Sequence, residues 1–204
     1  MIFSPSDRAS KRSMLVEAAA RVFAEKGYAA TRVADIAAHA GVGKGTVYEY
    51  FSSKEELLFA VFELINHDIT VRMRTVLGGD EPTEEQLFNL LRLGAEVITE
   101  QVQLQPVLLD FWAASRGSDF EARHREAVVA TYHLFRGMVS DFIRGGQSRG
   151  DFRSDVDAEA VAATVIAAVD GLGIQSYFDS AVDARAVTES FGRMLYDSLS
   201  AEPA

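Results

Sequence analysis

The sequence predicts an all-α protein with about nine helices. Three observations predict this class: apolar residues recur at spacings of three and four, no segment alternates in the manner of a strand, and short stretches rich in glycine or proline separate the periodic segments. Residues 1–53 are expected to form an N-terminal three-helix domain, and residues 54–204 are expected to form a larger helical domain.

The first helix is predicted from about Ser10 to Lys26, behind a flexible arm at residues 1–8. Gly27 would end this helix, because glycine adopts the left-handed backbone that closes a helix at little cost. The apolar stripe that would face the domain core consists of Leu15, Ala18, Ala19, Val22 and Phe23.

Two short helices separated by a glycine turn are predicted next. The hydroxyl of Thr31 is expected to cap the first of them, and Gly41 would form the turn. The second helix would run from Lys44 to Tyr50, with Val47 and Phe51 as its inward anchors. The apolar face of the first short helix consists of Val33, Ile36, Ala37 and Ala40.

The outward side chains of the second short helix are predicted to contact DNA. They are one ammonium, one hydroxyl and two phenols, which suit phosphates and base edges. Ser53 and Glu56 are expected to form a capping box on the following helix, with Lys54 contacting phosphate beside its N-terminus. Two helices joined by a tight turn are the arrangement in which DNA-binding proteins place one helix in the major groove. The outward side chains are Lys44, Thr46, Tyr48 and Tyr50.

The rest of the chain is predicted to be helical as well. Thr83 and Gln86 would cap one helix, Pro106 would open a short one that Gly117 closes, and Ser118 with Glu121 would cap a long one. Gly145-Gly146 is expected to end that long helix. The other predicted bounds are 53–77, 83–103, 157–178 and 183–199.

The segment Gly41–Leu57 reads GVGKGTVYEYFSSKEEL and closely resembles the DNA-binding motif of the TetR family of transcriptional regulators. The resemblance is dense over about residues 12–62 and depends on architecture and length beyond them. Gly43 departs from the serine that the family often has, and Glu49 from its histidine or other non-acidic residue. Glu49 would either point away from DNA or accept from a cytosine amino group. The resemblance implies DNA contacts by Thr31, Arg32, Lys44, Gly45, Thr46, Tyr48, Tyr50 and Lys54.

Charge is distributed unevenly along the chain, whose formal net charge is −10. Residues 1–53 hold seven Lys or Arg and five Asp or Glu, whereas residues 54–204 hold thirteen and twenty-five. The larger domain, residues 54–204, is called the body, and its acidity would keep it off DNA. The N-terminal domain, residues 1–53, is called the head, and its mildly positive charge lets it approach DNA. There is no cysteine, and no membrane-spanning segment is expected, so a soluble cytoplasmic protein is predicted.

The last two helices are apolar on most sides, so they must be covered on most sides. One interpretation is a central core helix. The other, which the family resemblance favours, is a four-helix interface between two copies of the chain. Its predicted members are Val161, Val165, Ala168, Leu172, Val187, Phe191, Met194 and Leu195.

A small-molecule pocket in the body is implied by the resemblance, and its best candidates combine a polar group with apolar neighbours. Asp110 and Asp170 each lie in an apolar run, where a carboxylate needs a partner. That partner would be a cationic ligand or, as the favoured alternative, Arg116, Arg136 or a helix-end N–H. The other candidates are Trp112, Tyr132, His133, Gln175 and Tyr177.

The sequence favours one of three candidate functions. The resemblance implies a homodimeric regulator, a repressor that binds an operator in double-stranded DNA and is released by a small-molecule effector. A DNA-binding dimer without an effector, whose body serves assembly or protein partners, is the alternative. A small all-α enzyme fits poorly, because no catalytic residue, metal-ligand spacing or cofactor motif is evident.

Overall fold

The computed structural model describes residues 5–114 and 121–201, which form nine α-helices. One isolated antiparallel bridge, between Phe152 and Ser200, is the only β pairing in these ranges, so the predicted all-α class is confirmed. A 3₁₀ turn at Val102–Leu104 precedes the sixth helix. The helices are α1 (Pro5–Lys26), α2 (Val33–His39), α3 (Lys44–Tyr48), α4 (Lys54–Leu77), α5 (Thr83–Gln101), α6 (Gln105–Ala114), α7 (Glu121–Arg149), α8 (Ala158–Phe178) and α9 (Ala184–Leu199).

The helices are grouped in two compact units. Unit 1 holds the described residues up to His67 and those of 103–126, so that α6 belongs with α1, α2 and α3. Unit 2 holds residues 68–102 and the described residues from Ala127 onward. These units do not coincide with a division at residue 53. The assignment of DNA binding to residues 1–53, and of effector binding and dimerisation to residues 54–204, stays a prediction.

Unit 1 buries one side of each of its first three helices. Leu15 and Phe23 of α1, Ile36 of α2 and Val47 of α3 expose 0% of their surface. Burying a large apolar side chain is worth about 1.5–3 kcal/mol. The apolar faces predicted from the sequence therefore hold these three helices together.

An aromatic layer links α4 and α6 within unit 1. The rings of Phe62 and Phe111 are stacked, with centroids 4.0 Å apart. His124, at the start of α7, is 1% exposed, and its ring centroid lies 4.5 Å from that of Phe111. The guanidinium carbon of Arg123 lies 3.9 Å from the ring centroid of Phe59. Together with the packing of α6 against α1, these contacts place α6 in unit 1.

Unit 2 is built on α5, which packs against α8 and α9. Its core includes Leu91 of α5, Ile143 of α7, Val165 of α8 and Leu199 of α9, none of which exposes more than 2% of its surface. One side of α8 thus belongs to the core of unit 2.

Several predicted helix ends are confirmed. Gly27 follows α1 with φ 75°. Asp157 caps α8 by accepting from the N–H of Glu159 at 2.9 Å, and Asp183 caps α9 by accepting from the N–H of Ala186 at 3.0 Å. The first helix begins earlier than predicted, at Pro5, because proline suits the first turn of a helix.

Other predicted ends were wrong. Helix α7 does not end at Gly145-Gly146 but continues to Arg149, where Gly150 closes it with φ 85°. Gly146 is required for space instead, because a Cβ there would clash with the ring of Phe152.

The capping box predicted at Thr83 and Gln86 was also wrong. The Thr83 hydroxyl donates to Asp151 Oδ2 at 2.6 Å, and Gln86 Nε2 donates to the carbonyl oxygen of Gly79 at 2.7 Å. Both side chains fasten the start of α5 to neighbouring segments of unit 2. The ends predicted at Gly117 and Ser118 lie outside the described residues.

The start of α4 has the predicted cap with one change. Ser53 Oγ accepts from the N–H of Glu56 at 3.2 Å, as expected. The Glu56 carboxylate reaches back one residue further than predicted, to the N–H of Ser52 at 2.6 Å and its hydroxyl at 2.8 Å. The hydrogen bond from the Ser52 backbone is the main reason that the pKa of Glu56 lies below its usual 4.5.

This cap predicts a pH-dependent stability. A lowered pKa means that ionised Glu56 stabilises the folded chain above about pH 4.5, and that this contribution is lost as the pH falls through the folded-state pKa. Glu56→Gln should therefore lower the free energy of unfolding near pH 7, and its difference from the parent should be smaller at a pH well below 4.5. Urea unfolding at both pH values measures this, with the exposed Glu63→Gln on the same helix as control. An equal deficit at both pH values would contradict the charged cap.

Candidate DNA-binding site

Helices α2 and α3 form a helix-turn-helix. Gly41 makes the turn with φ 67°, as predicted, and the N–H of Val42 donates to the carbonyl oxygen of Ala37 at 2.9 Å. The buried Val47 holds α3 against the domain. Helix α3 ends at Tyr48 rather than at the predicted Tyr50. The turn and the anchor leave most of α3 open to solvent.

Most of the predicted DNA contacts lie at this open surface. Arg32, Lys44 and Gly45 are exposed, Tyr48 exposes 48% of its surface, and Thr46 and Tyr50 are half-buried. The Lys44 ammonium lies 5.5 Å from the ring centroid of Tyr48. A cation beside a phenol on an exposed helix suits a phosphate and the adjacent sugar or base.

Thr31 does not have the role predicted for it. Its side chain is 2% exposed, and its hydroxyl donates to the carbonyl oxygen of Gly27 at 2.7 Å. The residue before α2 is Arg32, whose N–H donates to Asp35 Oδ2 at 2.8 Å. The carboxylate of Asp35, not the hydroxyl of Thr31, satisfies this end of α2. A buried side chain that binds its own backbone is not available for a DNA contact.

Lys54 also differs from the prediction of a phosphate contact. Its ammonium donates to the carbonyl oxygens of Tyr28 at 2.8 Å, Thr31 at 3.0 Å and Ala29 at 3.4 Å. It lies 4.2 Å from the ring centroid of Tyr28. An ammonium has three donors, and three carbonyl oxygens of this loop lie within hydrogen-bond distance of it. Lys54 therefore fastens the loop between α1 and α2 to the start of α4.

Asp110 holds the same loop from α6. Its Oδ2 accepts from the N–H of Tyr28 at 2.9 Å, just beyond the end of α1. A helix-end N–H was among the predicted protein partners of this carboxylate. Burial, and then the charge of Glu55, raise the pKa of the Tyr28 phenol. Asp110 is therefore engaged within unit 1 and does not need a cationic ligand as a partner.

Asp170 has a partner that the sequence did not indicate. The Tyr132 hydroxyl donates to its Oδ2 at 2.7 Å, within unit 2. Burial raises the pKa of Asp170, and the bond from Tyr132 opposes that rise. The predicted alternative of a bond to Arg136 was wrong, since Arg136 donates to the carbonyl oxygen of Tyr132 instead. Arg116 lies outside the described residues.

The other predicted effector residues are dispersed. Trp112 is half-buried in α6 of unit 1, whereas His133 and Gln175 are exposed in unit 2 and Tyr177 is 39% exposed there. His133 borders a cleft of about 470 Å³ between α7 and α8. Within the described ranges, no group of acidic or histidine side chains could hold a metal ion. Tyr132 and Asp170, two members of the predicted set, are in direct contact through the hydrogen bond described above.

The predicted dimer residues divide into two groups. Val165 and Leu172 are only 2% and 6% exposed and belong to the buried clusters of unit 2, so they offer little surface to a second copy. Ala168 is exposed, and Val187 and Met194 expose 46% and 67% of their surface. The partly buried members at the edge of the core are Val161, Phe191 and Leu195.

Helix α8 is unusually apolar for a helix with so much exposed surface. Its mean hydropathy reaches 1.4, and 22% of that stretch is buried. Length and composition alone would let it cross a membrane. It is not assigned as a membrane span, because one side packs on α5 and its Asp170 bonds to Tyr132. The other side of α8, which ends in Phe178 at 75% exposure, leaves apolar surface open to solvent.

Sequence reasoning missed the ties that fasten the loop between α1 and α2. Lys26 pairs with Asp35 at 3.0 Å, and Lys54 and Asp110 bind the loop backbone. Tyr28 and Asp110 are 82 residues apart, so no local pattern marks them as partners.

A glycine turn, a buried anchor and an exposed polar helix define a helix-turn-helix DNA-binding protein. Residues 15–61 match the family described as bacterial regulatory proteins of the tetR family, and residues 99–199 match the C-terminal family of BetI-type transcriptional repressors. This chain belongs to the tetR family of transcriptional regulators.

Named relatives agree with this assignment. The HTH-type transcriptional regulator CymR of Pseudomonas putida is 34% identical over 163 residues, which cover 79% of this chain and 77% of that protein. The HTH-type transcriptional repressor KstR2 of Mycolicibacterium smegmatis is 31% identical over 164 residues, covering 78% and 75%. A regulator from Saccharomonospora viridis, solved in complex with choline, superposes with a TM-score of 0.81 at 24% identity, covering 94% of this chain and 98% of that one. At 24% identity, the similarity to the S. viridis structure shows only that the two chains share a fold.

Proposed function

We propose that this chain is a homodimeric repressor that binds an operator through α3 and leaves it when a small molecule binds the body. The observation that carries the proposal is an exposed polar recognition helix in a chain that also exposes an apolar helix face. A single short helix touches too few base pairs to be selective, so two copies are needed.

The dimer is supported by the uncovered side of α8 and α9. Ala168 and Phe178 of α8 and Val187 and Met194 of α9 are exposed. Large exposed apolar patches are uncommon on monomers and mark interaction surfaces. A two-fold arrangement would cover this face with its own copy and would present two recognition helices to one side of the duplex.

Base selection by the flank of α3 gives a testable prediction. Thr46 is half-buried beside the exposed face, and its hydroxyl and methyl can distinguish bases in the major groove. Thr46→Val keeps the shape and removes the hydroxyl, so the preferred base should change at one position in each half-site. Binding to a library of single-substitution operators measures this. A uniform loss across the library would contradict it.

The effector part of the proposal is supported by similarity to other regulators. KstR2 of M. smegmatis is named a repressor, and the S. viridis regulator holds choline. Unit 2 of this chain offers Tyr132 and Asp170, a phenol and a carboxylate in contact. Release by a hundredfold needs only about 2.7 kcal/mol of difference in ligand affinity between the free and the DNA-bound forms.

Thermal unfolding in the presence of small amines, carboxylates and aromatic compounds tests the effector. A true effector at one hundred times its Kd stabilises the protein by about 2.7 kcal/mol and should also displace a labelled operator. If no compound does both while the operator still binds, the effector-independent dimer is the better account. We assign the protein to the cytoplasm, where a regulator of bacterial genes meets its operator.

A further inference from the structure

The side of α3 that points furthest from the core is centred on Gly45 and Glu49. Val47 is fully buried, and successive residues of a helix are about 100° apart, so positions two before and two after it lie roughly opposite. Glu49 keeps helical backbone angles, φ −69° and ψ −22°, so the geometry extends to it. Both residues are exposed. By the same spacing, Lys44 and Tyr48 lie on one flank and Thr46 on the other.

The Glu49 carboxylate is open to an incoming partner. Other acids near the motif are engaged: Asp35 pairs with Lys26 at 3.0 Å, and Glu56 accepts from Ser52. Among the described residues, no hydrogen bond or ion pair engages the side chain of Glu49. It is the one carboxylate in the sequence between Asp35 and Glu55.

Gly45 leaves room for close approach on the same face. A Cβ built at Gly45 meets nothing within 4 Å. The absence of a side chain one turn before Glu49 means that DNA can lie close to the backbone of α3, and Glu49 is the side chain that would reach it.

The chemistry of a carboxylate restricts what it can bind in DNA. It only accepts hydrogen bonds, and a phosphate offers no donor and repels it. Guanine presents acceptors in the major groove, and thymine presents an acceptor and a methyl group. Adenine presents a donor beside the N7 acceptor, whereas cytosine presents its N4 donor alone.

We propose that Glu49 is a specificity-determining residue that selects one cytosine in each half-site by accepting from its N4 amino group. The inference rests on the proposed binding of DNA through α3. A wrong base would leave the carboxylate desolvated against an acceptor. Replacing that cytosine should therefore weaken binding by roughly 5- to 150-fold, the range of a single specific base contact.

Selection from a random duplex pool, with the full-length chain and its Glu49→Gln variant, tests the proposal. The parent should enrich sites with an invariant cytosine at one symmetric position. Glu49→Gln should move the preference there toward adenine, whose N6 and N7 a glutamine amide can bind together, and leave other positions unchanged. Glu17→Gln, at an exposed position of α1, removes the same charge and should keep the parent's consensus.

Two results would overturn the proposal, and they are distinguishable. If Glu49→Gln and the parent enrich the same bases at every position, Glu49 does not read a base, although DNA binding stands. If the parent enriches no sequence, the proposed DNA binding fails and this inference fails with it. Equal melting temperatures of the two proteins establish that the variant is folded.

Discussion

Met194→Glu is expected to give a folded monomer that has lost at least a hundredfold in operator affinity. Met194 exposes 67% of its surface on α9, a helix that contacts α8. If a second copy covers this face, the substitution buries two glutamates across a two-fold axis. An unpaired buried charge costs several kcal/mol, more than a marginal interface can offset. A single recognition helix then binds with only its own few contacts.

Sedimentation velocity and operator titration measure the two parts of this prediction. Val129→Glu is the matched control, because Val129 is another aliphatic side chain of unit 2, 46% exposed on α7 and outside the predicted interface. It should leave both the dimer and the affinity unchanged. A Met194→Glu protein that remains dimeric would show that the apolar face of α8 and α9 has another partner.

Lys54→Met should destabilise the chain and leave the salt dependence of DNA binding nearly unchanged. The substitution keeps most of the apolar stem and removes the ammonium that binds three carbonyl oxygens of the loop between α1 and α2. We expect a loss of about 2 kcal/mol, the size of hydrogen bonds to a half-buried charged group. For a chain of this length that lowers Tm by roughly 4–8 °C.

The control for this experiment is Lys44→Met, at an exposed lysine of α3. It should leave Tm unchanged. It should reduce the slope of log affinity against log salt by about one for each chain bound to DNA, as loss of a phosphate contact does. The account of Lys54 is contradicted if its variant keeps the parent's Tm and shows the reduced slope instead.

The sequence predicted those features that depend on neighbouring residues. Gly41 has the left-handed backbone of the turn, Val47 is buried one helix later, and the last two helices begin directly after Asp157 and Asp183, where their starts were predicted. Each of these follows from the preference of one residue type at one local position, so no knowledge of the fold is needed.

Features that depend on distant partners were not predictable in this way. Lys54 looked like a phosphate ligand because it lies in the first turn of α4, but its acceptors are 23 to 26 residues away. Gly146 looked like a helix end, yet it makes room for Phe152. The polar partner of Asp170 is on a different helix. A residue type alone indicates a capability, and the packing decides which partner uses it.

The central claim is that two copies of α3 bind one duplex at a fixed separation. Sedimentation of the protein with an operator recovered from a random pool measures it directly. The account predicts an even number of chains on an inverted repeat, whose half-sites lie about 34 Å or a multiple of that apart. A folded protein that stays monomeric and prefers no duplex over bulk competitor DNA would contradict it.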